Sequence, residues 1–142
     1  HYFRKYTKGK YDLKYPKLSY KDWKLGYKYN RGINEFGRFI EAFNLDKEAA
    51  WFSCSWGMFQ IMGANFRECG YATIKDMLLD FYKGEKNQLR AFLNFCDSKN
   101  ILDDIRRQDW VGIARVYNAP NYMKNQYPEK LKNYFSIWNT RI

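Results

Sequence analysis

Apolar residues fall at helical spacing in five stretches of this chain. Phe36, Phe39, Ile40 and Phe43 stand at i, i+3, i+4 and i+7, the repeat that lines one face of a helix, with Asn34 in position to cap it. Ile74, Met77, Leu78 and Phe81 repeat the spacing behind a Thr73-x-x-Asp76 capping pattern, and Leu89, Phe92, Leu93 and Cys96 repeat it again. Trp110, Ile113, Ala114 and Tyr117 are entered through Asp109, and Leu131, Tyr134, Phe135 and Trp138 through Pro128. Two stretches depart from this rhythm. Residues 1–33 carry Gly9, Pro16, Gly26 and Gly32 without a helical period and read as irregular structure with short extended pieces. Ser53 to Gly63 brackets apolar residues and one Gln between glycines, which suggests a turn, a short hairpin, or a loop held against the core. The pattern predicts a mainly α fold, its stripes meeting in one core, with a short β-hairpin or turn around residues 55–63.

A length of 142 residues suits one domain that buries most of its apolar surface. Aromatics make up 20%, as 13 Tyr, 11 Phe and 5 Trp. Most such rings fill cores, but a ring face also packs on the apolar face of a sugar while a Tyr hydroxyl or Trp N–H bonds a substituent. The 25 Lys and Arg against 15 Asp and Glu give a net charge of +10, which draws the protein toward anionic polymers: nucleic acid, acidic lipid or bacterial envelope. Basic residues are densest at Arg4, Lys5, Lys8, Lys10, Lys14 and Lys17, interleaved with Tyr6, Tyr11 and Tyr15, a pattern of either a nucleic-acid patch or a solvated face. Charge alone carries the nucleic-acid reading, so no nucleic-acid partner is expected.

Cys54, Cys69 and Cys96 leave at least one thiol unpaired, which fits synthesis in a reducing cytoplasm. Without a Cys-x-x-Cys pair, and with His1 as the single histidine, no protein-ligated metal is expected, and no cofactor. No apolar run approaches the roughly 20 residues that cross a bilayer, and no apolar stretch follows the basic start to make a signal peptide, so neither membrane insertion nor a leader is expected. The chain starts with His1 rather than Met, so residues ahead of it are expected to have been removed or left out.

Two segments carry the chemistry: Ser55-Trp56-Gly57-Met58-Phe59-Gln60-Ile61-Met62-Gly63, and Ala114-Arg115-Val116-Tyr117-Asn118-Ala119-Pro120. They resemble, in the same order, the Gly-Leu-Met-Gln-Ile-like turn and the Tyr-Asn-Ala-Gly-like helix end of the lysozyme-like superfamily of goose-type lysozymes and lytic transglycosylases. The chain is more closely similar to the N-acetylmuramidase domain of phage endolysins. That likeness adds Tyr11-Asp12, Pro16, Leu18, Ala49-Ala50, Gly70-Tyr71, Gln88-Leu89, Phe92, Asp109-Trp110 and Tyr122. Two positions depart from the family: Ala119 stands where Gly is usual, and Cys54 where Ala is common.

The resemblance implies a lysozyme-like helical domain and a saccharide cleft lined by Ser55, Gln60, Tyr117, Asn118 and Tyr122. An N-acetyl sugar presents an amide carbonyl, an amide N–H and hydroxyls, and Gln60 offers a donor and an acceptor from one side chain. A structural alternative stands beside each role. Gln60 is either a sugar ligand or a buried amide bracing the hairpin, and Tyr117 also sits on an apolar stripe. Asn118 clamps a substrate amide or braces its loop, and Ser55 bonds a hydroxyl or caps the following turn. The Gln-bearing turn and the Tyr-Asn helix end are expected to meet around an amino-sugar.

Cleaving a glycosidic bond needs a carboxylic acid to protonate the leaving oxygen. In the resembled family this is a Glu on an early helix, in a Val-Glu-Ser-x-Gly-like segment, followed by a Phe-Glu-x-His-x-Phe-like segment whose tail matches His1-Tyr2-Phe3. The resemblance therefore places the acid upstream of His1, on a helix that residues 1–142 lack. Within the chain Glu48, on a helix starting at Asp46, is the internal candidate, ahead of Glu41 and Glu35. The implied function is hydrolysis of the β-1,4 bond between N-acetylmuramic acid and N-acetylglucosamine by a monomer, made in the host cytoplasm, whose partner is the glycan strands of bacterial peptidoglycan. The alternative is a non-catalytic peptidoglycan-binding module of the same fold.

Overall fold

A computed structural model describes residues 1–21, 33–118 and 121–141, with only the backbone of 33 and 34. Residues 22–32, including Gly26 and Gly32, together with Ala119 and Pro120, lie outside the described residues. The chain divides into two compact units, His1–Phe92 and Leu93–Ile142.

The first unit opens with helix α1 (Tyr2–Thr7) and turns, where the sequence predicts irregular structure. Six residues are too few to show a repeat, and a helix this short is marginal in isolation. It forms because Phe3 and Thr7 are buried and the Thr7 hydroxyl donates to the Phe3 carbonyl 2.9 Å away. Helix α2 (Ile33–Leu45) already includes Asn34, which therefore lies inside the helix rather than capping it. Helix α3 (Lys47–Ser53) is capped by Asp46, whose carboxylate accepts from the Ala49 amide at 3.0 Å. The small side chains of Ala49 and Ala50 let α1 and α2 approach α3 closely. Phe3, Leu18, Ala42, Ala49 and Ala50 form the core there, with Tyr11, Phe39 and Phe43 packed around them. The Tyr11 hydroxyl ties in by donating to the Leu45 carbonyl at 2.7 Å. Arg4 and Ser19 both bond the Asp12 carboxylate, Arg4 at 2.7 Å, and together they hold it below the usual carboxylate range, the Ser19 bond contributing most.

The predicted hairpin is present. Strands β1 (Ser55–Trp56) and β2 (Ile61–Met62) pair antiparallel, Ser55 opposite Met62 and Trp56 opposite Ile61, and a 3-10 turn (Gly63–Asn65) follows. Helix α4 (Ile74–Tyr82) carries the predicted Thr73–Asp76 capping box and buries Ile74, Met77 and Phe81 as its spacing required. Helix α5 (Glu85–Ser98) starts in the first unit and ends in the second. Its predicted stripe is rotated: Ala91, Phe95 and Cys96 are buried, while Leu89 and Leu93 are exposed. A similar shift on α2 buries Ala42 and exposes Phe36 and Ile40.

The second unit contains α6 (Leu102–Arg106), α7 (Trp110–Tyr117) and α8 (Tyr127–Asn139). The Asp109 side chain caps α7 by accepting from Gly112 N–H at 2.9 Å, and Ile113 and Ala114 are buried as predicted. Helix α8 packs on α7, with Phe135 against Trp110 at 5.2 Å. The predicted apolar stripe of α8 is largely solvent-facing nonetheless, with Tyr134 61% and Trp138 59% exposed. Periodicity marks a helix face but does not supply the surface that covers it.

Candidate functional site

Gln60 ends the loop Gly57–Gln60 that joins the two strands. Two-residue strands are marginal alone, and this loop is fixed from several sides. The Gln60 amide N–H and its side-chain Nε2 both donate to the Gly57 carbonyl, at 3.2 and 3.0 Å. Gly57 and Gln60 both adopt left-handed backbone, at φ 71° and 52°. For a residue with a Cβ that conformation costs about 1–2 kcal/mol. Gln60 is exposed, and among the described residues no donor reaches its Oε1. The side chain thus braces its own turn with the nitrogen and leaves its carbonyl oxygen without a protein donor among the described residues. It is not the buried amide of the structural alternative.

The loop is fastened to α4 and α5. Gln88 Oε1 accepts from the Met58 N–H at 2.8 Å, and Gln88 Nε2 donates to the Phe81 carbonyl at 3.1 Å. Gly57 makes room for this contact: a Cβ there would lie 2.7 Å from Gln88 Oε1 and 2.9 Å from the Phe81 ring. One helical turn beyond Gln88, the Phe92 ring stacks on Phe59. Below these residues, Asp80 accepts from the Tyr71 hydroxyl at 2.8 Å, from Arg90 at 2.6 Å and from Lys83 at 3.2 Å, and Asn87 donates to the Asp80 carbonyl. The Tyr71 bond, followed by Lys83 and Arg90, holds the Asp80 carboxyl below its usual range. Burial and the Asp80 carboxylate push the Tyr71 hydroxyl up to about 12.

Ser55 lies on β1, exposed, and its hydroxyl donates across the strand pair to Met62 Sδ at 3.3 Å rather than capping the turn. Beside it, burial pushes the Cys54 thiol up, so the reactive thiolate is disfavoured at neutral pH. The Trp56 indole N–H donates to the Trp51 carbonyl at 3.0 Å, and its ring meets Phe39 edge-on at 5.3 Å. Both contacts fix the base of the hairpin. Glu48 is exposed in the first turn of α3, where a carboxylate favours the helix N-terminus.

In the second unit, Tyr117 ends α7 half-buried, its ring edge-on to Phe95 at 5.9 Å. Asn118 is the C-cap, its backbone N–H donating to the Ala114 carbonyl. Tyr122 is half-buried, and its carbonyl accepts from Tyr127 N–H at 3.0 Å. A separate open groove of about 390 Å³ is lined by Gln108, Asp109, Trp110, Val111, Pro128, Glu129 and Lys132, and none of the sequence-predicted site residues borders it. Among the described residues no group of His, Cys, Asp and Glu is placed to hold a metal ion, and no helix is long and apolar enough to cross a membrane.

Ser55 and Gln60 therefore share one hairpin, and Tyr117 and Asn118 one helix end. Gln88 has no role in the sequence reading. Its only signal was membership in the family-like run, because its partner at Met58 lies 30 positions away.

The sequence matches a family profile described as N-acetylmuramidase over residues 1–139. The structure is similar to the crystal structure of a Burkholderia AP3 phage endolysin, with a TM-score of 0.78 and 27% sequence identity, over 98% of this chain and 53% of that one. The chain thus spans about half the length of that endolysin. A comparison with curated proteins found no match.

Proposed function

Because the chain belongs to the N-acetylmuramidase family, whose profile spans residues 1–139, we propose that it forms the glycan-cleaving domain of an endolysin-type peptidoglycan hydrolase. Its substrate is the β-1,4 bond between N-acetylmuramic acid and N-acetylglucosamine, and its place of action is the bacterial cell wall. Hydrolysis of that bond transfers a proton from a carboxylic acid to the leaving sugar oxygen, and water supplies the hydroxyl that ends up on the anomeric carbon. On this reading the acid is a glutamate ahead of the His1-Tyr2-Phe3 match, as the family resemblance implies.

The observation that carries the reading for this chain is the state of Gln60. An exposed residue is held in a costly backbone conformation, its side-chain nitrogen bonded to its own turn and its carbonyl oxygen without a donor among the described residues. Backbone strain of this kind persists where surroundings over-determine it, commonly at binding sites. We assign that oxygen to the N–H of a substrate acetamido group. Ser55 takes a ring hydroxyl, the Tyr117 and Tyr122 rings and hydroxyls contact sugar, and Asn118 bonds a substrate amide. The net charge of +10 favours approach to a wall whose peptides carry carboxylates.

Digestion of purified peptidoglycan followed by borohydride reduction tests this reading, run with residues 1–142 and with an N-terminally extended polypeptide. Soluble fragments ending in reduced N-acetylmuramic acid are expected. Ends in reduced N-acetylglucosamine, or binding without cleavage by either polypeptide, would overturn it.

A further inference from the structure

We infer that Gln88 is a positioning residue for sugar binding, setting the conformation of the Gly57–Gln60 loop from one turn of α5. The inference rests on the proposed role of Gln60. Both polar ends of Gln88 are engaged within the protein: Oε1 takes the Met58 N–H at 2.8 Å and Nε2 gives to the Phe81 carbonyl at 3.1 Å. The side chain is a cross-link between the loop and the C-terminal end of α4.

Three features make this cross-link decisive for Gln60. The loop has little of its own to hold it, since the strands on either side are two residues long. The left-handed turn at Gln60 is one its own residue type disfavours. Gly57, whose carbonyl carries both bonds from Gln60, is the residue against which Gln88 Oε1 is seated. Releasing Gln88 therefore frees the carbonyl that fixes Gln60, two bonds away from the sugar-binding oxygen. Asp80 keeps Gln88 in reach by joining α4 to α5 through Arg90, which donates to its carboxylate, and Asn87, which donates to its carbonyl.

The test compares Gln88→Leu, which removes both polar ends, with Gln88→Glu, which keeps the acceptor for Met58 N–H. Each is measured for affinity to purified peptidoglycan, for amide hydrogen exchange at Met58, and for melting temperature, with Gln60→Ala as control. A net hydrogen bond corresponds to a change of roughly two- to tenfold. Gln88→Leu is accordingly expected to weaken binding about fivefold, with faster Met58 exchange and a cooperative melt, and Gln88→Glu, which keeps the Met58 bond but loses the one to Phe81, to recover part of the affinity and slow the Met58 exchange. If Gln60→Ala weakens binding while Gln88→Leu does not, or if Gln88→Glu binds as poorly as Gln88→Leu with both folded, the positioning role is overturned. If Gln60→Ala itself binds normally, the sugar-binding reading of the loop fails, and Gln88 then positions a loop of another purpose.

Discussion

The Phe59 ring lies flat on Phe92, the centroids 4.4 Å apart and the planes 9° from parallel. This pair joins the tip of the hairpin to α5. Such a pair contributes roughly 0.5–1.5 kcal/mol beyond its buried area. Phe92→Ala is expected to lower unfolding free energy by about 2–3 kcal/mol, less than a fully buried Phe would. Urea denaturation checks it, and an unchanged midpoint would show that the stack adds nothing.

Substitutions at Gln60 are expected to separate stability from the proposed function. Gln60→Gly, made in the N-terminally extended polypeptide, removes the Cβ that opposes a φ of 52° and should raise stability by up to about 1 kcal/mol while abolishing most peptidoglycan cleavage. Gln60→Ala, which keeps the Cβ, should lose the same activity without that gain. Retained turnover in both variants would remove the side chain from the binding site.

Tyr71 should leave a mark at alkaline pH. Its folded-state value is raised to about 12, whereas an unfolded tyrosine ionises near 10. The stabilisation is complete below about 10 and is lost as pH rises from there toward 12, because the unfolded chain gives up the proton first. Tyr71→Phe should flatten that part of the stability curve. The same variant removes the largest influence on Asp80, whose lowered carboxyl favours the fold above the ordinary carboxylate value and loses this as pH falls further. A thermal melt series at both extremes tests the pair.

Glu48→Gln should leave glycan cleavage within about twofold of the parent. A general acid works from a partly desolvated site, whereas Glu48 is exposed on the first turn of α3. Its loss should instead cost about 0.3–1 kcal/mol of helix-end electrostatics, read by thermal melting. Loss of cleavage a hundredfold or more would make Glu48 the acid.

How far these features could be read from the chain depended on whether their determinants were local. Helices α4 and α7 were legible in extent and in buried face, because Thr73 with Asp76, and Asp109, announce their starts and large residues supply their stripes. On α2 and α5 the stripe was misplaced by its own largest members. Ile40, Leu89 and Leu93 look outward, and the close contacts are made by Ala42 and Ala91, which a search for bulk passes over. Helices α1 and α6 are too short, at 6 and 5 residues, for any period to show. The Gln60 turn stood out through its bracketing glycines. Its bracing did not, since Gln88 meets Met58 across 30 positions.

Gly63 has a mechanical consequence. A Cβ at this position would overlap the Trp51 carbonyl oxygen, the same atom that accepts the Trp56 indole N–H, while the Gly63 amide bonds the Cys54 carbonyl at 2.8 Å. The last turn of α3 and the root of the hairpin therefore share one backbone junction with no slack, and they pivot together or not at all. If Gln60 binds sugar as proposed, any movement of its oxygen is confined to the four residues of the Gly57–Gln60 loop, beyond that junction.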